Sequence, residues 1–524
     1  MRRRFGSVLV FALLLADCRP RAPTPSPGVD AVASEVVELD IAEAQRRMAA
    51  GTSSARALTQ QYLERIAAID DAGPRLAAVI EVSATALAEA DALDRERAAG
   101  RLRGPLHGIP VVIKDNIDVA GMVNSAGSLA LAEHRPREDA ALVTRLRAAG
   151  AVILGKTNLS EWANLRGLRS TSGWSSRGGQ TRNPYALDRN PCGSSSGTGS
   201  AIAASLATVG VGTETDGSIL CPAAAQGLVG LKPTVGLISQ RGIIPISATQ
   251  DAAGPMARTV RDAALLLAAM VEDPGDEGRA GGPNYVEGLQ TGALRGRRIG
   301  VLRQAMGQHA GVDAVTEQAI AALRAAGAEV VDPVEISTWG QWDGPELEVL
   351  LVEFKAGLDE YLRRSGAPLP SLAAVIAWNR DHAAAVLPWF GQEMLERAQA
   401  TPGLDAPAYL AARAAARRLA WDEGLGATLE RHRLAAVVAP AGGPAWLTDP
   451  LLGDHGVHGG YSVAAVAGTP SLTVPMGALH GLPLGLVFMG RPGAEAELLA
   501  LGYAFEQATR ARRAPDYRRS TSAP

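Results

Sequence analysis

The sequence predicts an α/β fold, in which a β-sheet is covered by helices. Short apolar runs, typical of buried strands, alternate along the chain with longer segments of helical periodicity. Hydrophobic residues make up 47% of the 524 residues and charged residues 20%, the balance of an ordinary globular protein with a large core. A chain of this length can hold about two to four average domains, although large α/β enzymes can be single units.

Three helices are expected near the start of the folded part. Asp40 and Glu43 match a capping box before the first helix. Ser53 or Ser54 can cap the second, and a third is expected over residues 84–99. Further along, strands are predicted over residues 110–113, 151–154, 208–212, 227–235, 298–302, 434–438 and 471–475. Helices are predicted over residues 139–149, 200–206, 258–270, 314–326 and 495–509.

Residues 338–424 are expected to be mostly helical. They hold five of the eight tryptophans of the chain, namely Trp339, Trp342, Trp378, Trp389 and Trp421. These side chains could line a substrate groove or pack the helices together, and the sequence favours neither alternative.

The N-terminus is typical of an export signal. Arg2 to Arg4 form a positive region, and Val8 to Ala16 form an apolar stretch too short to span a bilayer stably. The arginines loosely fit a twin-arginine pattern, and the residues before Cys18 resemble a lipoprotein cleavage box in which Asp17 fits poorly. We therefore predict an export signal over residues 1–18, a Pro-rich linker over residues 19–37, and a periplasmic or lipid-anchored protein. Membrane contact is expected only through such an N-terminal lipid anchor.

Charge and cysteine content exclude several function classes. The formal net charge of −3 gives no reason to expect nucleic-acid binding. No His/Cys cluster has metal-ligand spacing, so no metal site is expected. The three cysteines do not make a disulfide framework. A bridge between Cys192 and Cys221 is conceivable, but we expect two free buried thiols.

Two glycine-rich, serine-bearing turns carry the chemistry. They lie at residues 192–200 and 212–218. Glycine lets backbone N–H groups converge on one point, as an oxyanion requires. A serine in such a turn can be a nucleophile if a base removes its proton.

Lys114 is the candidate base. It follows an apolar run, and it is one of only four lysines among 51 Lys and Arg residues. Arginine cannot lose its proton in a protein, whereas a desolvated lysine can become a neutral amine. The pattern indicates acyl transfer. The alternative is a structural lysine that pairs with Asp115 or caps a strand.

A Ser–His–Asp esterase is a rival interpretation. Residues 193–197 match a Gly-x-Ser-x-Gly elbow, which would make Ser195 the nucleophile. His107 lies at the start of the lysine strand, and we interpret it as a structural histidine in a turn.

In this order and spacing, the motifs resemble the amidase signature family. The resemblance rests on residues 106–110, 114–116, 193–197, 212–218 and 230–234, and it extends over about residues 38–509. It implies one large domain with a mixed, twisted sheet, helices on both faces and no cofactor. Residues 510–524 would be a loose C-terminal tail. Within the family, residues 157–164, 172–175 and 178–185 are similar to the bacterial peptide amidases.

The resemblance also implies residue roles. Ser218 would be the nucleophile, Ser194 a relay serine preceded by a cis peptide bond, and Lys114 the terminal base. The backbone N–H groups of Thr215, Asp216, Gly217 and Ser218 would form the oxyanion hole.

Three further side chains have two interpretations each. Ser172 could support Lys114 or Ser218, or be a turn residue beside Gly173. Glu214 and Asp216 could shape the amide site or make structural hydrogen bonds within the turn.

The expected reaction is hydrolysis of a carboxamide, above all the C-terminal amide of a peptide, to carboxylate and ammonia through an acyl-enzyme on Ser218. The first alternative is a general aliphatic or aryl amide hydrolase. The family's tRNA-dependent amidotransferase subunit is disfavoured by the export signal. An alternative of a different class is a non-catalytic lipoprotein that binds peptides.

Overall fold

The computed structural model describes residues 32, 35–271 and 284–521. The predicted export signal and most of the predicted linker lie outside the described residues. Sixteen α-helices occur in the described part of the chain: α1 Ile41–Ala49, α2 Ala55–Arg65, α3 Ala86–Ala98, α4 Ala141–Ala148, α5 Ser196–Ala203, α6 Leu220–Ala225, α7 Val260–Met270, α8 Ala310–Ala325, α9 Asp343–Ser365, α10 Leu372–Asp381, α11 Ala383–Val386, α12 Glu393–Gln399, α13 Pro407–Arg417, α14 Gly426–Arg431, α15 Ser462–Val466 and α16 Glu495–Thr509.

Thirteen strands occur among the described residues, and eleven of them form one mixed sheet. The strands of the chain are β1 Val79–Val82, β2 Pro110–Lys114, β3 Val152–Thr157, β4 Trp174–Ser175, β5 Gly179–Gln180, β6 Val209–Glu214, β7 Val229–Lys232, β8 Ala252–Ala257, β9 Arg298–Leu302, β10 Glu329–Val334, β11 Ala436–Pro440, β12 Ser471–Leu479 and β13 Leu482–Met489. The order in the sheet is β1-β3-β2-β6-β8-β7-β12-β13-β11-β9-β10, and β4 and β5 pair separately. β2 runs parallel to β3 and β6, and β9 runs parallel to β10 and β11, whereas the other pairs are antiparallel.

Helices cover both faces of this sheet. Side chains alternate between the two faces along a strand. Val437 of β11 lies in an apolar cluster with Leu220 of α6. Its neighbour Val438 lies in a different apolar cluster, with Phe488 of β13 and Phe505 of α16. The predicted α/β class, with a mixed sheet between helical layers, is therefore confirmed.

Several predicted elements are confirmed at their ends. Asp40 accepts a hydrogen bond from the Glu43 N–H, and Ser54 caps α2 by accepting from the Ala57 N–H. α16 has the predicted bounds.

β8 was not predicted, because its residues Ala-Ala-Gly-Pro-Met-Ala have low strand propensity. A Cβ at Gly254 would lie 2.1 Å from the Leu231 carbonyl oxygen, so packing here selects a small residue over a strand-forming one.

The region of residues 338–424 is helical as predicted, from α9 to α13. Four of its five tryptophans pack against apolar clusters of the protein, namely Trp339, Trp342, Trp378 and Trp421. Trp389 is 47% exposed. The packing alternative therefore describes most of these side chains. Among the described residues, no helix combines the length and the apolarity needed to span a bilayer.

The expectation of two free thiols is wrong. Cys192 and Cys221 form a disulfide, with their Cα atoms 5.9 Å apart. Their separation of 29 residues in the sequence does not predict that the two cysteines lie this close together. The fold brings together the turn before α5 and the first turn of α6, which carry the two cysteines.

The expectation of a loose C-terminal tail is wrong for residues 510–521. Arg512 forms an ion pair of 2.6 Å with Glu38, at the other end of the described chain. Arg518 Nε donates to the Tyr185 carbonyl oxygen at 2.8 Å. The segment has no helix or strand, yet side-chain hydrogen bonds hold it against the domain.

Candidate active site

Lys114 lies at the end of β2, an inner strand of the sheet. β2 and β6 are parallel neighbours, so their last residues meet at one edge of the sheet. The Lys114 side chain is fully buried. Its Nζ lies 2.8 Å from Ser194 Oγ, 2.9 Å from Thr213 Oγ1 and 3.1 Å from the Thr213 carbonyl oxygen. The predicted base and relay serine are therefore in direct contact.

A charged ammonium can donate to all three of these groups, and a neutral amine can make the same contacts. A neutral lysine has two N–H bonds and one lone pair. The Thr213 carbonyl oxygen can only accept, and Thr213 Oγ1 can accept the second N–H. The lone pair then remains for the Ser194 hydroxyl proton.

The buried environment of Lys114 favours the uncharged form. Burial lowers the pKa of Lys114 to about 7, although the negative charges of Asp251 and Glu214 oppose this shift. Asp115 does not pair with Lys114. Its carboxylate lies 3.2 Å from Lys156 Nζ and 3.1 Å from Arg177 Nη1. The alternative in which Lys114 pairs with Asp115 is therefore wrong.

The first serine turn places Ser194 against the lysine. The Gly193–Ser194 peptide bond is cis, as the family resemblance implied. The Ser194 carbonyl oxygen accepts from the Ser160 N–H at 3.1 Å. A Cβ at Gly193 would lie 2.2 Å from Ser160 Oγ, so only glycine fits this position.

The second serine turn lies beside the first. The Ser195 N–H donates to the Ser218 carbonyl oxygen at 3.1 Å, and the disulfide joins the same two segments. Ser218 is 9% exposed, whereas Ser194 is fully buried. Ser218 is thus the more exposed of the two serines, while Ser194 contacts the base. Their catalytic roles stay predictions.

The turn at residues 214–218 is held by side-chain contacts. Gly217 has a φ of 77°, and a Cβ there would lie 2.3 Å from the Tyr461 ring. Thr215 Oγ1 donates to Asp251 Oδ1 at 2.6 Å. Glu214 Oε2 accepts from the N–H groups of residues 219 and 220 at 2.7 and 2.9 Å, which fits the structural interpretation of this residue. The oxyanion role of the four predicted N–H groups stays a prediction.

Ser172 lies beside the first serine turn, since a Cβ at Gly193 would lie 3.0 Å from Ser172 Oγ. Its hydroxyl donates to Asp454 Oδ2 at 2.5 Å and accepts from Asn164 Nδ2 at 2.9 Å. These partners differ from the predicted ones, Lys114 and Ser218, and fit the alternative of a turn residue. Asp454 is 282 residues away in the sequence, so no local signal could have paired it with Ser172.

The esterase interpretation finds no support in the geometry. Ser195 Oγ is buried and donates to the Thr213 carbonyl oxygen at 3.0 Å. His107 Nε2 lies 2.9 Å from the Leu93 carbonyl oxygen, and its Nδ1 accepts from the Arg103 N–H at 3.2 Å. His107 is a structural residue of the turn before β2, as predicted.

Thr213 is a site residue that sequence analysis missed. It binds Lys114 through both its hydroxyl and its carbonyl oxygen. Asn116 Nδ2 donates to Thr213 Oγ1 at 3.0 Å and so fixes its orientation. A small pocket opens beside these groups, and it is lined by Asn116, Ser194, Thr213, Thr215, Ile244 and Asp251 together with Ala163, Gln240, Ile243 and Ile246. A sequence signal existed, since Asn116 and Thr213 both lie within the segments that carry the family resemblance.

Comparison with known proteins agrees with this geometry. Residues 57–499 match the family model for Amidase. A probable amidase of Arabidopsis thaliana is 39% identical over 483 residues, which cover 88% of this chain and 88% of the plant protein. The native peptide amidase from Stenotrophomonas maltophilia is 56% identical, with a TM-score of 0.88, covering 92% of this chain and 99% of that one. A peptide amidase in complex with the competitive inhibitor chymostatin is also 56% identical, with a TM-score of 0.89, and the match covers 92% of this chain and 100% of that one. Since the family model spans most of the sequence, the chain belongs to the amidase family and is an enzyme that hydrolyses amide C–N bonds.

Proposed function

We propose that the protein hydrolyses the C-terminal amide of peptides to carboxylate and ammonia, through an acyl-enzyme on Ser218. The observation that carries the proposal is the 2.8 Å contact between the buried Lys114 Nζ and Ser194 Oγ. It supplies a base that is neutral near physiological pH and a hydroxyl that can relay a proton.

The proposed mechanism uses this chain of groups in both directions. Lys114 accepts the Ser194 proton while Ser194 accepts the proton of Ser218, and Ser218 attacks the amide carbon. The backbone N–H groups of the 215–218 turn stabilise the oxyanion, an effect worth about 3 kcal/mol per donor. The same protons then return to the departing nitrogen, ammonia leaves, and water hydrolyses the acyl-enzyme.

The peptide specificity rests on the likeness to peptide amidases. The Stenotrophomonas maltophilia enzyme shares 56% of its residues with this chain. Three exposed leucines lie close in sequence to the two residues of the Ser172–Asp454 contact: Leu168 near Ser172, and Leu451 and Leu452 near Asp454. Their side chains offer apolar surface for the body of a bound peptide.

We also propose that the enzyme works outside the cytoplasm, either free in the periplasm or held by lipid on Cys18. The Cys192–Cys221 disulfide supports this proposal, because disulfides persist mainly in oxidising compartments. Mass spectrometry of the mature N-terminus tests it, since the signal would be absent and a lipidated Cys18 would carry its added mass.

The substrate test is ammonia release from a panel of amides. We expect kcat/KM for amidated dipeptides to exceed that for acetamide and for anilides at least tenfold. Equal or better turnover of acetamide or anilides would favour the general amide hydrolase instead.

Variants test the catalytic roles. Ser218→Ala and Lys114→Ala should lose turnover, while Lys355→Ala, at a partly exposed lysine on α9, should keep it. A fluorophosphonate probe should label Ser218 in the intact protein. If no adduct forms at Ser218, the non-catalytic peptide binder is favoured.

A further inference from the structure

The small pocket beside Thr213 is also lined by Ser194. Its volume is about 10 Å³, which is about the space that one water molecule needs. An amino group and ammonia are close to water in size. In the proposed mechanism Ser194 returns a proton to the departing nitrogen, so the leaving group must lie next to this serine. The pocket therefore has the position and the size that an amino leaving group requires.

Asn116 gives this pocket an unused hydrogen-bond acceptor. Its side chain is 4% exposed, and its Nδ2 donates to Thr213 Oγ1 at 3.0 Å and to the Ile244 carbonyl oxygen at 3.4 Å. A carbonyl oxygen can only accept, so the Ile244 contact fixes which end of the Asn116 amide is nitrogen. The other end, Oδ1, is buried and has no hydrogen-bond partner within the described part of the chain. Because a buried acceptor without a partner is unfavourable, a donor bound in the pocket would stabilise it.

Asp251 is a second acceptor in the lining of the pocket. Its Oδ1 accepts from the Thr215 hydroxyl at 2.6 Å, and its Oδ2 accepts from the N–H groups of residues 246 and 247 at 2.8 and 3.0 Å. These three bonds fit an ionised carboxylate, which accepts and cannot donate. The amide oxygen of Asn116 and the carboxylate of Asp251 thus both favour a bound group that carries N–H bonds.

Isoleucines limit the size of the pocket. Ile244 and Ile246 line it and are 5% and 8% exposed. The Ile244 N–H donates to the Asn116 carbonyl oxygen at 2.8 Å, and the Ile246 N–H donates to Asp251. Both side chains also pack in one apolar cluster with Phe354 of α9. This wall is held by backbone hydrogen bonds and by packing, so it leaves little room for a bulkier leaving group.

We propose that the pocket binds the leaving amino group of the substrate amide: Asn116 Oδ1 accepts one of its N–H bonds, and the isoleucine wall admits –NH2 but no substituent on the nitrogen. When the tetrahedral intermediate collapses, the electron pair of the C–N bond passes to the nitrogen. Ser194 gives this nitrogen its proton and takes one from Lys114, and ammonia forms in the pocket. Asn116 and Ile246 are then specificity-determining residues for primary carboxamides. The inference rests on the proposed function, because it takes Ser194 as the proton donor to the leaving group.

The first experiment widens the wall and varies only the leaving group. It measures kcat/KM for a dipeptide amide and for the N-methylamide of the same dipeptide, in wild type, Ile246→Ala, Ile246→Val and Ile376→Ala. Ile376 on α10 is a matched control, because it is 5% exposed and lies in the same apolar cluster as Ile246 but outside the lining of the pocket.

We expect wild type to favour the primary amide at least tenfold in kcat/KM. Ile246→Ala should raise kcat/KM for the N-methylamide at least tenfold, because the methyl group then has space, and should lower that for the primary amide less than tenfold. Ile246→Val should change the ratio in the same direction by a smaller factor. Ile376→Ala should keep the wild-type ratio.

The second experiment separates the Asn116 oxygen from the Asn116 nitrogen. The nitrogen acts on Lys114 through Thr213 Oγ1, and Thr213→Val removes that route. In the Thr213→Val background, Asn116→Ala should still lower kcat/KM for the primary amide at least tenfold. The methyl ester of the same dipeptide has no N–H bond in its leaving group, so kcat/KM for the ester should fall less than threefold.

Three results would overturn the proposal. The first is a wild type that favours the primary amide over the N-methylamide less than tenfold. The second is the wild-type ratio in Ile246→Val and Ile246→Ala, and the valine variant decides this point if the alanine variant does not fold. The third is an Asn116→Ala substitution that adds no loss in the Thr213→Val background. A wild type that prefers acetamide to dipeptide amides would count against the proposed peptide substrate alone, because acetamide and N-methylacetamide then serve for the same comparison.

Discussion

Lys114 can serve as a base because its surroundings favour the neutral amine. Its Nζ faces two hydroxyls and a carbonyl oxygen, and burial lowers its pKa to about 7. A lysine must be unprotonated to accept a proton, so activity should rise as the pH increases through this value. We expect kcat/KM to fall about tenfold per unit below about pH 6, and steady-state rates between pH 5 and pH 9 measure this. A flat profile across this range would contradict the assignment.

Lys114→Arg tests the same idea at constant charge. Arginine keeps its proton at every pH used with proteins, so this variant should lose at least a thousandfold in kcat. Lys355→Arg is the matched control, because Lys355 lies partly exposed on α9, where it forms a salt bridge of 4.0 Å with Asp359. Its kcat should equal that of wild type.

Substitutions of Ser194 and Ser195, two adjacent serines of the first turn, should differ sharply in their effect on kcat. Ser194→Ala removes the hydroxyl next to Lys114 and should lower kcat by about a hundredfold or more. Ser195→Ala removes two hydrogen bonds to the Thr213 backbone, one donated to its carbonyl oxygen and one accepted from its N–H. The carbonyl oxygen still accepts from Lys114. We expect a loss of less than tenfold, and parallel measurements of kcat on one amide decide it. A larger loss of kcat in Ser195→Ala than in Ser194→Ala would support the esterase interpretation, in which Ser195 is the nucleophile.

At the scale of elements, the disulfide joins the two segments that carry the serine turns. Closing a loop between residues 29 apart restricts the unfolded chain and stabilises the folded one by about 3 kcal/mol. The double variant Cys192→Ser/Cys221→Ser should therefore unfold at a lower temperature, as measured by calorimetry. Dithiothreitol should lower the Tm of wild type in the same way and leave the double variant unchanged. Equal Tm values for wild type with and without reductant would argue against a stabilising bridge.

At the scale of the whole molecule, the C-terminal segment connects to the N-terminal part of the fold. Arg512 pairs with Glu38 and also donates to the Gly227 carbonyl oxygen at 2.7 Å. Hydrogen bonds to charged groups contribute about 1.5–3 kcal/mol each when they are shielded from water, and less where they are exposed. Arg512→Ala should lower Tm measurably, while Arg513→Ala, at an exposed neighbour, should not. An unchanged Tm in Arg512→Ala would mean that the segment adds nothing to stability.

Site residues that lie in local motifs were easier to predict from the sequence than site residues that do not. Lys114 and Ser194 were both identified, and they are in contact. Thr213 was missed as a ligand of the lysine because a threonine within a glycine-rich segment has many structural uses. Strand β8 was not predicted because its small residues have low strand propensity. Close packing against Leu231 requires small residues there.

The sequence by itself determined the α/β class, the glycines that the two serine turns require, the scarce lysine beside them and, through these motifs, the family. Only the tertiary structure decided which distant residues meet: Cys192 with Cys221, Ser172 with Asp454, and Glu346 with Gln250. The physical reason is that such contacts depend on the order of strands in the sheet and on where the helices dock. Local propensity and spacing carry no information about either.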